Sequence, residues 1–413
     1  MASMNAVRVI FVEPNFPRNQ REFVRALASV GAEVIGIGES PQESLDDELR
    51  GWMRHYHQVP SVVDVGAMTD AVRWIQDRAW VDRLESTIES HILSVAQVRE
   101  ACTIPGTSVR TAYLCRDKPS MKDALRAAGV PTAASTAADN AEQVQQFAKA
   151  VGFPLILKPR SGAGAADTTR VDDEDQLAQV LASFGAKGVD SIAVEEFVEG
   201  HEGFYDTLSI DGGAAADFVC HYFPNVLEAM RTRWISPQFI STNRVESVGD
   251  YQQLREMGQR VVEALGIGTS ATHMEWFFGP KGLKFSEIGC RPPGVGAWDL
   301  YSAGNDLDLY REWANAIVHG TVSAKPSRRF ASGIVALRPE HDGQIGGYSG
   351  VEAIQDRYGE WVLDAHLPNP GTPTQSPEAG YMANAYVRMR HPDFDVLRQM
   401  LDDVGRTISV HVT

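Results

Sequence analysis

The chain has 413 residues, 43% hydrophobic and 22% charged, with a formal net charge of -16 and a pI near 5.1. That length exceeds one ordinary core and suits about two to four packed domains. An acidic balance with no Lys/Arg-rich run argues against nonspecific nucleic-acid or membrane-surface binding, since both need a basic face.

Met1 to Arg8 lacks the form of a secretory signal, and no stretch approaches the roughly 18–20 apolar residues of a membrane span. Cys102, Cys115, Cys220 and Cys290 show neither CxxC nor paired spacing. They read as reduced thiols of a cytoplasmic protein. The first elements alternate: an apolar strand at Val7 to Val12, a helix at Asn19 to Val30 closed by Gly31, and a strand at Ala32 to Ile37. Strand–helix–strand order implies a parallel sheet with right-handed crossovers. Glu13-Pro14-Asn15-Phe16-Pro17 follows the first strand without GxGxxG, so a dinucleotide site is not expected.

A helix is predicted at Glu89 to Ala101 and broken at Thr103 to Gly106. Asp117 reads as the N-cap of the next helix, with Pro119 in its first turn and Gly129 at its end. Asp139-Asn-Ala-Glu142 reads as a capping box opening a helix that closes at Gly152. Strands follow at Pro154 to Pro159 and Thr168 to Val171, then a helix at Asp172 to Phe184. Further strands are predicted at Ser191 to Phe197, Tyr205 to Ile210, Thr272 to Phe278 and Leu283 to Ile288, with helices at Asp250 to Leu265 and Leu307 to His319. Lys325 to Ser327 marks a linker, and the tail is strand-rich with one helix at Phe394 to Val404.

Five segments carry chemistry. Lys118 stands at a helix start, where a cation beside backbone N–H groups suits a phosphate; a plain surface lysine is the competing reading. Lys158 interrupts an apolar strand before a loop rich in Gly and Ala, containing Ser161, Gly162 and Gly164. Such a loop can bring N–H groups close to an anion. Because a strand follows, and no GK[ST], it reads as a hairpin flap and not a Walker loop. Glu195, Glu196, Phe197 and Val198 end a strand whose backbone could pair with an adenine edge, and the Glu202 carboxylate could take ribose hydroxyls.

Glu275 and Glu287 each lie inside an apolar strand, which implies a cation between them. Oxygen ligands completed by phosphates favour Mg²⁺. Their spacing of twelve is even, so a bare two-residue turn at Pro280-Lys281 would put them on opposite faces. To share a face they need an odd-length loop or a bulge. Met274, Trp276 and Phe278 are then expected on the core face, and Arg291 is expected to reach the cavity that holds Lys158. His273 shares the strand face of Glu275 and reads as a core histidine or a substrate contact.

Taken in order, these segments resemble the ATP-grasp superfamily from about Thr111 to Ala324. The stretch Glu89 to Lys118 and the tail from Ala331 are similar to its carboxylate–amine ligase branch, which includes L-amino-acid ligases. The resemblance implies a mixed α/β and α+β protein. A parallel α/β pre-ATP-grasp domain spans 1–110, and a two-lobed ATP-grasp domain 111–325, with a flap lobe at about 130–196 and a metal-binding lobe at about 197–325. A C-terminal α+β region spans 326–413. It also implies ATP and Mg²⁺, with Lys118 and Lys158 on phosphates, Glu195 to Val198 as the adenine hinge and Glu202 on ribose. Glu275 and Glu287 become the metal ligands, and Arg291 steadies an acyl phosphate. Many members carry Asn as a third metal ligand where this chain has Gly289. The expected reaction joins a small carboxylate to an amine, with a homodimer allowed and neither nucleic acid nor membrane as partner. The rivals are a biotin-carboxylase-type carboxylase, a kinase on the same fold and a catalytically silent ATP-binding regulator.

Overall fold

The computed structural model describes residues 6–160, 168–186, 191–380 and 384–413. In the N-terminal domain four parallel strands run in the order His55–Gln58, Glu33–Gly38, Arg8–Val12, Arg83–Glu85. Residues Val9 to Val12 are fully buried, because helices cover both faces of the sheet. The helix Gln20–Ser29 sets Phe23 against Trp298, Tyr310 and Trp313, with ring centroids 5.3, 5.0 and 5.0 Å apart. This aromatic knot fastens the domain to the rest of the chain.

A small lobe holds an antiparallel sheet in the order Ser135–Ala138, Ile192–Glu196, Leu155–Pro159, Thr169–Val171. Its core, with Leu155, Leu157, Val171 and Val194, is separate from the others. The capping box here is displaced by one residue from its expected place. Asn140, not Asp139, caps the helix Ala141–Val151 by accepting from the Gln143 N–H at 2.9 Å, and the Gln143 side chain accepts from the Asp139 N–H at 2.7 Å. Both Asp139 and Asn140 are good caps, and Gln143 closes the reciprocal pair one step later. Asp117 caps Lys118–Ala127 as expected, accepting from the Ser120 N–H at 3.2 Å.

The large sheet has eight strands, in the order Gly282–Gly289, Ser270–Gly279, His201–Ile210, Gly213–Phe223, Gln238–Ser241, Ala331–Leu337, Ala385–His391, Val362–His366. Ladder bonds run straight from Gln238–Ser241 into Ala331–Leu337, so the tail extends this sheet. Among the elements not anticipated are the strands Ser135–Ala138, Gly213–Phe223 and Gln238–Ser241, and the helices Val109–Leu114, Ala297–Asn305 and Val351–Tyr358. No helix among the described residues is long and apolar enough to cross a membrane.

Candidate active site

Glu275 and Glu287 are direct cross-strand partners. The turn is the bare two-residue one, since Gly279 pairs with Gly282. From there the register runs to Trp276 opposite Phe285, and then shifts so that Glu275 meets Glu287. Ser286 is the extra residue. This bulge puts both carboxylates on one face, which a regular hairpin with that turn would not do. Met274 and Trp276 turn the other way into the core, 1% and 4% exposed. Phe278 does not follow them. It stands at the hairpin tip, 47% exposed, where the sheet has no layer left to cover it.

The shared face borders a cavity of about 660 Å³ between the small lobe and the large sheet. Ile156, Phe197, Val198, Phe277 and Phe285 give it an apolar wall, while Lys122, Lys158, Glu195, Glu275 and Glu287 gather the charge. Glu202 also lines it, with its carboxylate accepting from the Val226 N–H at 2.7 Å. Burial pushes Glu202 up to about 7 against the pull of that hydrogen bond.

Lys122 carries no signal in the sequence beyond being a lysine one turn after Lys118. Yet it is 1% exposed and ion-paired to Glu195 at 2.7 Å. Lys158 takes the other oxygen of Glu195 at 3.1 Å. One carboxylate therefore bridges the buried ammonium of Lys122 and the partly buried one of Lys158. Burial alone would raise the Glu195 pKa, but Lys122 and Lys158 outweigh it and hold the group down at about 2. Burial lowers Lys122 to about 8 despite Glu195. The Glu195 side chain is thus committed to these lysines, so any adenine pairing here falls to the backbone of the segment. Glu196 accepts from the Ala134 N–H at 3.2 Å and pairs with Lys281.

Arg291 does not reach the large cavity. It lines a small neighbouring one of about 30 Å³, together with Lys118, His273, Glu89 and Arg116. Its Nε donates to Glu89 at 2.7 Å, which draws the side chain towards the N-terminal domain. Glu287 borders both cavities, and Lys118 Nζ lies 3.5 Å from it. His273 is oriented by Asp206 through a 2.7 Å bond to Nδ1, with Nε2 4.0 Å from Glu275. Just past the strand Leu155–Pro159, Arg160 forms a two-pronged pair with Asp117, at 2.7 and 3.1 Å, tying the small lobe to the helix that carries Lys118. Ser161, Gly162 and Gly164 lie outside the described residues.

Residues 123–305 match the family described as ATP-grasp domain. Residues 123–305 form an ATP-grasp domain. The match takes in Lys158, Glu195, Glu275, Glu287 and Arg291, and starts just after Lys118 and Lys122. Over 274 residues the chain is 26% identical to an L-arginine-specific L-amino acid ligase of Bacillus subtilis, covering 65% of each protein. It is 23% identical over 337 residues to a formate-dependent phosphoribosylglycinamide formyltransferase of Janthinobacterium, covering 80% of this chain and 79% of that one. The matches span 65%, 59% and 16% of the first three curated relatives. In fold it is similar to an L-amino acid ligase from Bacillus licheniformis, with TM-score 0.78, 16% identity and coverage of 98% and 99%. An N5-carboxyaminoimidazole ribonucleotide synthetase from Thermotoga maritima gives TM-score 0.70, 16% identity and coverage of 98% and 100%.

The paired carboxylates also pass a test for a divalent cation. Burial, then the charge of Glu287, pushes Glu275 up to about 8. A cation between the two carboxylates would relieve that load. One consequence is measurable. Because Glu275 is raised, a metal held between the two carboxylates would have to displace its proton near neutral pH. Binding of Mg-ADP should therefore release about one proton at pH 7 and progressively fewer towards pH 9. Calorimetry in two buffers of different ionisation heat would show this. A Glu275→Gln variant that releases as many protons as the parent would refute it.

Proposed function

We propose that this chain is an ATP-dependent carboxylate–amine ligase working through an acyl phosphate. The observation that carries the reading is the paired Glu275 and Glu287 at the foot of a cavity with an apolar wall and the partly buried Lys158. In this reading adenine lies against Ile156, Phe277 and Phe285 beside the backbone of Glu195 to Val198, and Glu202 receives the ribose. Lys158 meets the phosphates from the small lobe. Lys118, next to Glu287 at the junction of the two cavities, meets the transferring phosphoryl group. Glu275 and Glu287 would hold Mg²⁺, which supplies Lewis-acid neutralisation of phosphate charge.

Phosphoryl transfer of this kind is mostly positioning and electrostatics, both of which the charged floor supplies. The substrate carboxylate then belongs on the Arg291 side of Glu287, in the smaller cavity. There the amine attacks the acyl carbon, phosphate departs, and the guanidinium of Arg291 stabilises the oxyanion. The L-amino acid ligase of Bacillus subtilis supports amino acids as the first substrates to try. Phosphate release should need a carboxylate and an amine together, and hydroxylamine should intercept the acyl phosphate as a hydroxamate. ADP formation that depends on bicarbonate would place the enzyme with the carboxylases instead.

A further inference from the structure

Gly289 lies two residues beyond Glu287 on the same strand, opposite His273. A side chain there would project on the Glu287 face, beside the small cavity. The backbone does not require glycine, because Gly289 is absent from the residues with positive φ. Occupied space explains the glycine better. A Cβ at 289 would lie 3.0 Å from Oε2 of Glu89 and 3.4 Å from Cγ of Arg291. Real Cβ contacts are rarely so tight.

The occupant comes from the other domain. Glu89 opens the short helical turn Glu89–His91, 202 residues before Arg291. Its Oε2 accepts from Arg291 Nε at 2.7 Å, and its Oε1 lies 3.1 Å from Arg116 Nη1. Arg116 also donates to the Glu89 carbonyl. Arg291 Nη1 donates to the Pro292 carbonyl at 2.8 Å. The guanidinium is therefore gripped by Nε and Nη1, and Nη2 has no partner among the described residues.

We propose that Glu89 is a positioning residue of the ligase site, filling from the N-terminal domain the place of a side chain at 289 and fixing Arg291 for its anion. The inference rests on the ligase reading for the reaction and on the packing at Gly289 for the residue. It makes the N-terminal domain part of the reaction centre.

A swap tests it. Glu89→Ala should lower kcat by about 10- to 100-fold, the usual scale for a partner that orients a functional group. The ATP Kd and the carboxylate KM should change by less than about threefold. Gly289→Asp alone should also be impaired, because two carboxylates would compete for one space. Glu89→Ala combined with Gly289→Asp should recover at least about tenfold over Glu89→Ala, since coupled neighbours are not additive. Should the alanine variants fold poorly, Glu89→Gln keeps the shape and is expected to keep part of the rate.

A second readout needs no turnover. Modification of Arg291 by phenylglyoxal, located by mass spectrometry, should quicken in Glu89→Ala and slow again in the double variant. Unchanged modification of Arg291 in Glu89→Ala, or a double variant no better than the single, would overturn the role. So would a raised carboxylate KM at constant kcat, which would make Glu89 a substrate contact. The co-substrates needed by the parent enzyme decide the ligase reading, and the pattern among the variants decides Glu89.

Discussion

Glu287→Gln should slow turnover about a thousandfold while leaving a folded, ATP-binding protein. The site relies on charge at this one position more than any other, because Glu287 borders both cavities and faces Lys118 at 3.5 Å. Burial raises its pKa, but Lys118 and Lys158 outweigh that, so the carboxylate is ionised at neutral pH. Glutamine keeps the shape and removes the charge that would anchor the cation. Lewis-acid neutralisation contributes several kcal/mol to such a transition state. Losing about 4 kcal/mol of it slows the reaction about a thousandfold. Stability should fall only modestly, since the counter-charge lost to Lys118 and Lys158 is partly offset by removing the repulsion that pushes Glu275 up. ATP affinity should stay within a few-fold, carried by the apolar wall and Lys158. Single-turnover kinetics within tenfold of the parent would exclude the pair as the catalytic metal ligands.

Glu195→Ala should damage the fold itself. Glu195 is 6% exposed and bridges Lys122 and Lys158. Removing it takes away the one carboxylate that contacts both ammonium groups and leaves them facing each other, with Glu287 the more distant counter-charge. Breaking a buried pair from one side costs about 3–5 kcal/mol, a large share of the roughly 5–15 kcal/mol that holds a typical protein together. The loss has a signature in pH. Lys122 already sits at about 8, with burial as the chief cause and Glu195 opposing it. Without Glu195 it falls further, so the amine sheds its proton more readily and the penalty should shrink as pH rises from 7 to 9. Glu195→Ala combined with Lys122→Met should recover much of the stability at pH 7. Urea denaturation showing Glu195→Ala as stable as the parent at pH 7 would contradict the bridge.

Much of this architecture can be read from the chain, and the misses share a cause. Glu275 and Glu287 are legible because a carboxylate inside an apolar strand is conspicuous, and their even spacing already calls for a bulge or an odd-length loop. Which of the two occurs is not legible, since Ser286 looks like any strand residue. Lys122 is invisible because nothing local distinguishes a buried lysine from an exposed one. Its burial comes from Glu195, on a strand of the other lobe. Arg291 is misplaced for the same reason, its direction being set by Glu89 from a distant segment. The strand Gly213–Phe223 escapes notice because it begins Gly-Ala-Ala-Ala, a run with little β-propensity, and is held in place by the neighbouring His201–Ile210. Local signals fix elements. Contacts between domains decide which charges meet.

The ladder that joins Gln238–Ser241 to Ala331–Leu337 limits how this protein can diverge. Four residue pairs, from Gln238 with Val335 to Ser241 with Ser332, cross from the ATP-grasp domain into the tail. Gly333 has no room for a side chain, since a Cβ there would sit 2.7 Å from Leu401 and 3.1 Å from Ile240. A tail taken from another protein would have to arrive in the same register and with the same bare position. Otherwise it would leave an open row of N–H and C=O groups on Gln238–Ser241, which invites association with other chains. These two segments, 90 or more residues apart in the chain, are therefore bound to change together, whereas the turns at the far edge of the tail can vary one by one.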